Sequence, residues 1–358
     1  MPPGMSAFFL VYPLCCLTVR FVSADFGFCI FIFSKDLIMA VKPLSLAVVG
    51  ANSTSGETLL EVLGATSQSF STFFPLAVTD EGEMVEFRGQ DFPILGVDEF
   101  NWEVPDLVVF CGEDPACAIR YAKIAAEAGA AVVDLSGGAD VPLAEPDTRL
   151  KRGGVARMPH EVTTILLPVL KALAKAAPFS GLTVTAMLSV SQDGKQGIDE
   201  LSEQTRALFA QSEVQIAHYA KRMAFNLHPS IGAVDEYGAT AEEMRIITEV
   251  GSVCVDVPMS LTCTRVPMFF GHGISLNVRF AEDVTLNTLK AALTDAEGVY
   301  LLEAQGAAGL VTPQDVIGGD KVWVSRVRAS GQGVSLWLAG DNTRLGAMAV
   351  LRLLGAAA

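Results

Sequence analysis

The chain has 358 residues, 51% of them hydrophobic, and a formal net charge of −15 at pH 7. This length suits two domains with sizeable cores. The negative charge, without any run of Lys or Arg, argues against nucleic-acid and anionic membrane partners, which need clustered basic side chains. The cysteines number seven and show no metal-ligand spacing. We therefore expect reduced thiols, no metal site and a cytoplasmic location.

Residues 1–38 are predicted to lie outside the fold. Their apolar runs, residues 7–19 and 26–33, are shorter than the ~20 residues of a membrane span, and no basic residue precedes them as in a secretory signal. Met39 then opens MAVKPLSLAVVG, which is typical of the start of a soluble domain. A start codon assigned too far upstream is the favoured interpretation, and a real anchor is the alternative.

Strands alternate with helices in the first half of the chain. LSLAVVG, PLAVTD, DLVVFCG and AVVDLSGG are apolar runs typical of buried parallel strands, and GETLLEVLGAT and AIRYAKIAAEAGA have helical periodicity. This alternation predicts an α/β fold with a parallel sheet in a Rossmann-like, NAD(P)-binding domain. We assign to it residues 39–177 and 340–358, because the last helix has the periodicity to pack back on it. A helix after Pro159 is expected to bend or end at Pro168.

The second domain is assigned to residues 178–339. Its long runs rich in Val, Leu and Thr predict an α+β domain with a large mixed sheet, and helices at 197–210 and 286–295 are expected to pack on one face. The opposite, helix-free face is a candidate dimer surface.

The first strand runs into a turn with two glycines, Gly50 and Gly56. Such a turn lets backbone N–H groups and a helix N-terminus approach a pyrophosphate. The candidate cofactor-binding residues are Gly50, Asn52, Ser53, Thr54, Ser55 and Gly56. Ser53 stands where a further glycine would help that approach, and a tight turn without a ligand is the alternative. Asp80, among acids after the next strand, favours NAD over NADP.

Arg265 and His272 are the most site-like pair in the chain. They stand in the stretch TCTRVPMFFGHG, interpreted as an apolar strand that carries a cation and then an imidazole. A fixed positive charge can bind a carboxylate or phosphate, and His is suited to proton transfer near neutral pH. A surface Arg and a turn His are the alternative.

Several motifs together resemble the aspartate-semialdehyde dehydrogenase family. They are GANSTSG, SVSQDGKQGIDELSEQTRALF, AFNLHP, TAEEMRIITEV, TCTRVPMFFGHG and LWLAGDNTRLGAMAV, in that order over residues 44–358. Within the family the chain is most similar to the Usg-type paralogues. The resemblance implies a homodimer with a Rossmann-like domain and a dimerising α+β domain.

The resemblance also implies site residues. Family members use NADPH to reduce aspartyl phosphate, with a Cys nucleophile, a His acid/base, a Gln that assists the Cys and an Arg that holds the substrate carboxylate. By the motifs, Arg265 and His272 match that Arg and His. Glu243 matches the acid that contacts the substrate amino group, and Asn342 belongs to the cofactor-side C-terminal motif.

The nucleophile itself is missing. The family's Asn-Pro-Asn-Cys loop corresponds to MPHEV, so the Cys position falls on Val162, or on Glu161 if the loop holds one extra residue. Leu188 stands for the helper Gln, and about Asp140 stands for the phosphate-binding Arg. Cys263, two residues before Arg265, is the best internal substitute, although a buried packing role is favoured.

These departures favour a pseudoenzyme: a family protein without semialdehyde dehydrogenase activity that acts by binding a small molecule or a partner. The alternative is an NAD(P)-dependent oxidoreductase that acts on an aldehyde or oxo group of a small amino or oxo acid, using Arg265 and His272 for direct hydride transfer. A third possibility is a partner subunit for an authentic paralogue, sharing its dimer sheet.

Overall fold

The computed structural model describes residues 43–112, 115–144, 150–303 and 306–355, so the expected leader lies outside the described residues. In this part of the chain no helix is long and apolar enough to cross a membrane. The elements in chain order are β1 (Leu44–Val49), α1 (Thr54–Gly64), β2 (Phe70–Ala77), β3 (Met84–Phe87), β4 (Gln90–Pro93), β5 (Leu95–Gly96), β6 (Leu107–Phe110), α2 (Ala116–Glu127), β7 (Ala131–Asp134), β8 (Val155–Arg157), α3 (Glu161–Ala174), β9 (Phe179–Leu188), α4 (Gly194–Phe209), α5 (Ala241–Gly251), β10 (Met259–Arg265), β11 (His272–Phe280), α6 (Leu286–Thr294), β12 (Val299–Leu301), β13 (Val322–Ser330), β14 (Gly333–Gly340) and α7 (Asn342–Leu354).

The first sheet has six parallel strands in the order β5-β2-β1-β6-β7-β8, which confirms the predicted Rossmann-like arrangement. Its central strands are mostly apolar because helices cover both faces. Leu46 and Val48 of β1 pack on the side of α1 and α7, and Ala47 packs on the side of α2. Met348 of the last helix lies in the same cluster as Leu46, as its periodicity predicts.

The second sheet is mixed, also as predicted, with the order β10-β9-β11-β14-β13-β12. Strands β9 and β10 are parallel, whereas β11 runs antiparallel to β9. Helices α3, α5 and α6 contribute to the main core on one face of this sheet. The opposite face carries small polar side chains that are exposed or half-buried, including Thr183, Thr185, Ser275 and Asn277.

Two helices differ from expectation. Helix α3 continues through Pro168, because the side chains on either side of the proline, such as Leu166 and Val169, are fully buried in the core. The lost hydrogen bond is therefore outweighed by packing. Helix α4 does not share the main core: its Leu201 packs with Val190 and Met223 in a separate cluster.

Candidate functional site

The candidate site lies where three neighbouring strands of the second sheet meet. Arg265 is the last residue of β10 and His272 is the first residue of β11, and β9 lies between these strands. The two residues therefore stand on separate strands, and not on the single strand that the sequence suggested. They come together because β10 ends, and the antiparallel β11 begins, at the edge where β9 ends. Ser189, directly after β9, contacts both of them.

Arg265 is almost completely buried and is bound by its own chain. Its Nη1 donates to the Ser189 carbonyl oxygen at 2.9 Å and to Gln192 Oε1 at 2.7 Å. Its Nη2 donates to Asp193 Oδ1 at 2.6 Å in an ion pair. An arginine fork of this kind is suited to a carboxylate. Here the carboxylate comes from the protein itself, so Arg265 is already neutralised.

His272 is fully buried, and both of its ring nitrogens are engaged. The backbone N–H of Ser189 points to Nδ1 at 3.3 Å, and Nε2 lies 2.8 Å from Glu161 Oε2. Because a backbone N–H can only donate, Nδ1 is the acceptor in this arrangement. In this tautomer Nε2 carries the proton that is donated to Glu161. A substrate would have to displace one of these partners before His272 could accept its proton.

Glu161 and Val162 open α3 and point in different directions. Val162 is fully buried in the main core with Ile165, whereas the Glu161 carboxylate faces His272. Burial raises the pKa of Glu161, but the hydrogen bond from His272 and the nearby charge of Arg265 outweigh burial and lower that pKa below its ordinary value. Of the two alternatives for the nucleophile position, the geometry favours Glu161, since a nucleophile must lie within hydrogen-bond reach of its base.

Asn342, the first residue of α7, joins this network. Its Nδ2 donates to Glu161 Oε2 at 3.3 Å and to Ser191 Oγ at 3.2 Å, and its Oδ1 accepts from the Gly271 N–H at 3.1 Å. The C-terminal helix therefore contributes to the site, and Asn342 lies beside Glu161 and Ser191.

Glu243 does not face the site, and its neighbour Glu242 does. The two oxygens of Glu243 accept from the backbone N–H groups of Thr240 and Cys263, each at 2.9 Å. The first of these bonds is half of a capping box that begins α5, a pattern readable from the sequence but missed. Glu242 Oε1 lies 3.4 Å from Gln192 Nε2, and burial raises the pKa of Glu242. Glu243, the residue expected to contact the substrate amino group, is therefore held by backbone N–H groups, and Glu242 is the acid that faces Gln192.

His160 is the N-cap of α3. Its Nδ1 accepts from the Val162 N–H at 3.1 Å, its Nε2 lies 3.0 Å from Gln192 Nε2, and its own backbone N–H donates to Glu249 at 2.8 Å. Burial lowers the pKa of His160 to about 3, so this ring is neutral at physiological pH. The His160 side chain therefore caps the N-terminus of α3.

Two side chains near His272 or Arg265, Ser189 and Cys263, could stand in for a thiol nucleophile, and both are inaccessible. Ser189 Oγ lies 3.2 Å from His272 Nδ1, so that Ser189, His272 and Glu161 are arranged like a Ser–His–Glu triad. Ser189 is fully buried, however. Cys263 is also fully buried in the main core, and burial raises the pKa of its thiol well above the ordinary value. A reactive cysteine needs a lowered pKa and some exposure, so Cys263 is a packing residue.

Leu188 and Asp140 are the residues that the resemblance places at the positions of the family's helper Gln and phosphate-binding Arg. Leu188 is fully buried at the end of β9, and Asp140 is exposed after β7.

The glycine turn between β1 and α1 fits a dinucleotide. Gly50 has φ +76°, and a Cβ there would lie 2.7 Å from the Gly112 nitrogen. A Cβ on Gly56 would lie 2.1 Å from the Gly50 oxygen, so the turn requires both glycines. Ser53 caps α1 by accepting from the Gly56 N–H at 3.0 Å, which ties its side chain to the protein.

The other predicted cofactor residues surround the start of the same helix. Thr54 and Ser55 begin α1, where backbone N–H groups have no acceptor in the helix and can bind a phosphate. Asn52 Nδ2 donates to Asp80 Oδ2 at 3.2 Å. Asp80 is exposed and can accept hydrogen bonds from a ribose diol, whereas a 2′-phosphate there would be repelled.

Two family models match the chain, one in each half. Residues 45–150 match the semialdehyde dehydrogenase NAD binding domain, and residues 170–345 match the semialdehyde dehydrogenase dimerisation domain. The second match indicates a homodimer, and the first indicates that a nicotinamide nucleotide is the cofactor.

Curated relatives and solved structures agree with these models. The aspartate-semialdehyde dehydrogenase of Shewanella sp. (strain DB6705) is 32% identical over 323 residues, which cover 86% of this chain and 95% of that protein. That of Rickettsia bellii (strain RML369-C) is 30% identical over 321 residues, with the same coverage of 86% and 95%. The crystal structure of aspartate-semialdehyde dehydrogenase II from Vibrio cholerae superposes with a TM-score of 0.80 at 30% identity, covering 88% of this chain and 98% of that one. The chain therefore belongs to the aspartate-semialdehyde dehydrogenase family.

Proposed function

We propose that this family member, like the Usg-type paralogues it resembles, has no semialdehyde dehydrogenase activity and acts as a cytoplasmic homodimer that binds a small molecule or a partner. The observation that carries the proposal is the carboxylate of Glu161, 2.8 Å from His272 Nε2, where the family's thiolate is expected. A carboxylate cannot form a thioester, so the acyl intermediate of the family reaction has no attachment point.

The state of Arg265 supports the same proposal. Its contacts with Gln192 Oε1 and Asp193 Oδ1 replace those that a substrate carboxylate would make. A substrate would have to break a buried ion pair before it could bind, and the released Asp193 would repel it. Arg265, His272 and Glu242 are proposed as the residues that any ligand of this site contacts.

The proposal retains NAD or NADP at the turn between Gly50 and Gly56, with NAD favoured by Asp80. It also retains the division into a nucleotide-binding domain (residues 39–177 and 340–358) and a dimerisation domain (residues 178–339). The separate apolar cores around β1 and β9 support two domains, although α3, within residues 39–177, packs in the core around β9.

A second candidate is an oxidoreductase that reduces an aldehyde or oxo group by direct hydride transfer. The intact glycine turn and the proximity of Arg265 and His272 favour it, because hydride transfer needs no covalent nucleophile. Its substrate would have to open both the Asp193–Arg265 and the Glu161–His272 contacts.

The experiment that tests the first proposal is a turnover assay on the purified protein. Aspartate semialdehyde and phosphate are supplied with NAD and then with NADP, and nucleotide reduction is followed by absorbance. The Vibrio cholerae relative, assayed in parallel, is the positive control. We expect no reduction by a protein that circular dichroism shows to be folded. Turnover comparable to that of the control enzyme would overturn the proposal.

A further inference from the structure

We propose that the cavity on the outer side of α3, away from Arg265 and His272, binds a small amphipathic anion: a phosphate or carboxylate carried on an apolar group. The cavity has a volume of about 940 Å³, and it is lined by α3, α5, α7 and neighbouring loops. Small-molecule sites commonly have volumes of roughly 300–1,000 Å³. Neither Arg265 nor His272 lines it, so this inference does not rest on the proposed function.

The wall of the cavity is positively charged in a strongly acidic protein. Its cations are Arg157, Lys171, Lys175 and Arg352, and its acids are Glu249 and Glu297. The chain as a whole has a net charge of −15, so this local excess of positive charge is against the general trend. A cationic cavity attracts and retains anions.

Among the described residues, most of these cations form no ion pair. Glu249 is bound by the Arg245 side chain at 2.9 Å and by the His160 N–H at 2.8 Å, and Arg157 lies 3.8 Å from it. Over the described ranges, neither Lys171 nor Lys175 has a carboxylate within ion-pair distance, and the same holds for Arg352.

The cations without an ion-pair partner line the cavity from two elements. Lys171 lies in the last turn of α3, and Lys175 caps the end of that helix four residues later, so the two side chains project from the same face with their Cβ atoms about 6 Å apart. Arg352 comes from α7, and its Nη2 would lie 3.8 Å from a Cβ on Gly298, another residue of the cavity wall. Cations from two elements therefore face one space.

The rest of the wall is apolar. It includes Leu143, Leu167, Val253 and Leu353, and the side chain of Pro168 also lines it. A cavity that combines an apolar wall with a few charged groups binds ligands that carry both features. Neither inorganic phosphate nor a neutral alcohol would satisfy the whole site.

Hexyl phosphate is a suitable probe, with inorganic phosphate and hexanol as its two halves. In calorimetric titrations of the full chain we expect one hexyl phosphate per chain, bound at least about tenfold more tightly than either half. The variant Lys171→Gln/Lys175→Gln should bind it at least about tenfold more weakly. The matched variant Lys123→Gln/Lys221→Gln, which removes two exposed lysines outside the cavity wall, should bind it normally.

Three results would overturn the inference. The first is the absence of saturable binding to the native chain, and the second is an equal loss of binding in both lysine variants. The third is unchanged binding by Lys171→Gln/Lys175→Gln, which would assign the phosphate to another place, such as the N-terminus of α1.

Discussion

The nucleotide turn and the substrate side of the site differ in what their polar groups are free to do. Around Gly50 and Gly56 the backbone packs so closely that any Cβ would clash, and the N-terminus of α1 is available to a phosphate. Around Arg265 and His272 the charged groups are present, but Asp193 and Glu161 already bind them. This comparison teaches that a charged residue can be present and still be unavailable to a ligand, because other side chains of the same protein already bind it.

The largest effect is expected at the nucleotide turn. Gly56→Val would put its Cβ 2.1 Å from the Gly50 oxygen, and this contact is with backbone that cannot move away cheaply. We expect a loss of about 3 kcal/mol in the free energy of unfolding and loss of nucleotide binding. Urea denaturation and a fluorescence titration with NADH measure the two effects.

Gly64→Ala is the matched control, since the nearest atom to a Cβ there is 3.9 Å away, on the Arg88 side chain. It should leave nucleotide binding unchanged. Equal behaviour of the two glycine variants would contradict the requirement for a close backbone approach.

Arg265→Met tests whether the buried ion pair is structural. The substitution leaves Asp193 Oδ1, Gln192 Oε1 and the Ser189 carbonyl oxygen without the donor that Arg265 supplies. Removal of one partner of a buried pair typically costs about 3 kcal/mol, which denaturant unfolding can measure. Arg206→Met, at an exposed position of α4, should change stability by no more than about 0.5 kcal/mol. A stability change as small as that of the control would mean that Arg265 is not held as described.

His160 should make stability depend on pH. Its folded-state pKa of about 3 lies below its ordinary value of 6.5, so the unfolded chain binds more protons between these values. Stability must therefore fall as the pH falls through this window, by about 2 kcal/mol between pH 6.5 and pH 5.

His160→Asn retains a helix-capping side chain but removes the titrating ring. Unfolding measured at several pH values should show a flatter profile between pH 6.5 and pH 5 than in the native protein. Parallel profiles for the two proteins would mean that His160 is not a buried neutral base.

Glu161→Gln is expected to have the smallest effect. The amide can still accept from His272 Nε2, but the bond loses its charge, which should cost about 1 kcal/mol at pH 7. Because the pKa of Glu161 is lowered in the folded state, its contribution is present above the ordinary value of 4.5 and is lost as the pH falls below it. The two proteins should therefore become more alike in acid.

Urea unfolding of the Glu161→Gln variant and its parent, both carrying His160→Asn, measures the pH dependence of stability that is due to Glu161. Glu57→Gln, at an exposed position in the first turn of α1, is the control and should show no comparable pH dependence. A constant difference between the Glu161→Gln variant and its parent from pH 7 to pH 4 would contradict the charged hydrogen bond.

Much of the fold could be predicted from the sequence because its signals are local. Apolar runs and helical periodicity predicted the parallel first sheet, the mixed second sheet and the packing of α7 near β1. The expectation that the helix would bend or end at Pro168 was wrong. A local helix-breaking signal does not reveal the core packing that stabilises the helix on both sides of the proline.

The site was harder, because its decisive contacts join residues far apart in sequence. The ion pair between Arg265 and Asp193 depends on the register of β10 against β9, which one sequence does not reveal. Successive residues of a helix point about 100° apart. This one step determines that the Glu161 side chain faces the site and that the Val162 side chain lies in the core.

A calorimetric titration with NADH, and then with aspartate semialdehyde added to the nucleotide complex, tests the contrast between the two regions most directly. The account predicts saturable binding of the nucleotide. It predicts no saturable binding of the semialdehyde to the native chain, and measurable binding once Asp193→Asn frees Arg265. Tight binding of the semialdehyde to the native chain, lost in Arg265→Met, would contradict the account, because it would mean that Arg265 is available to substrate after all.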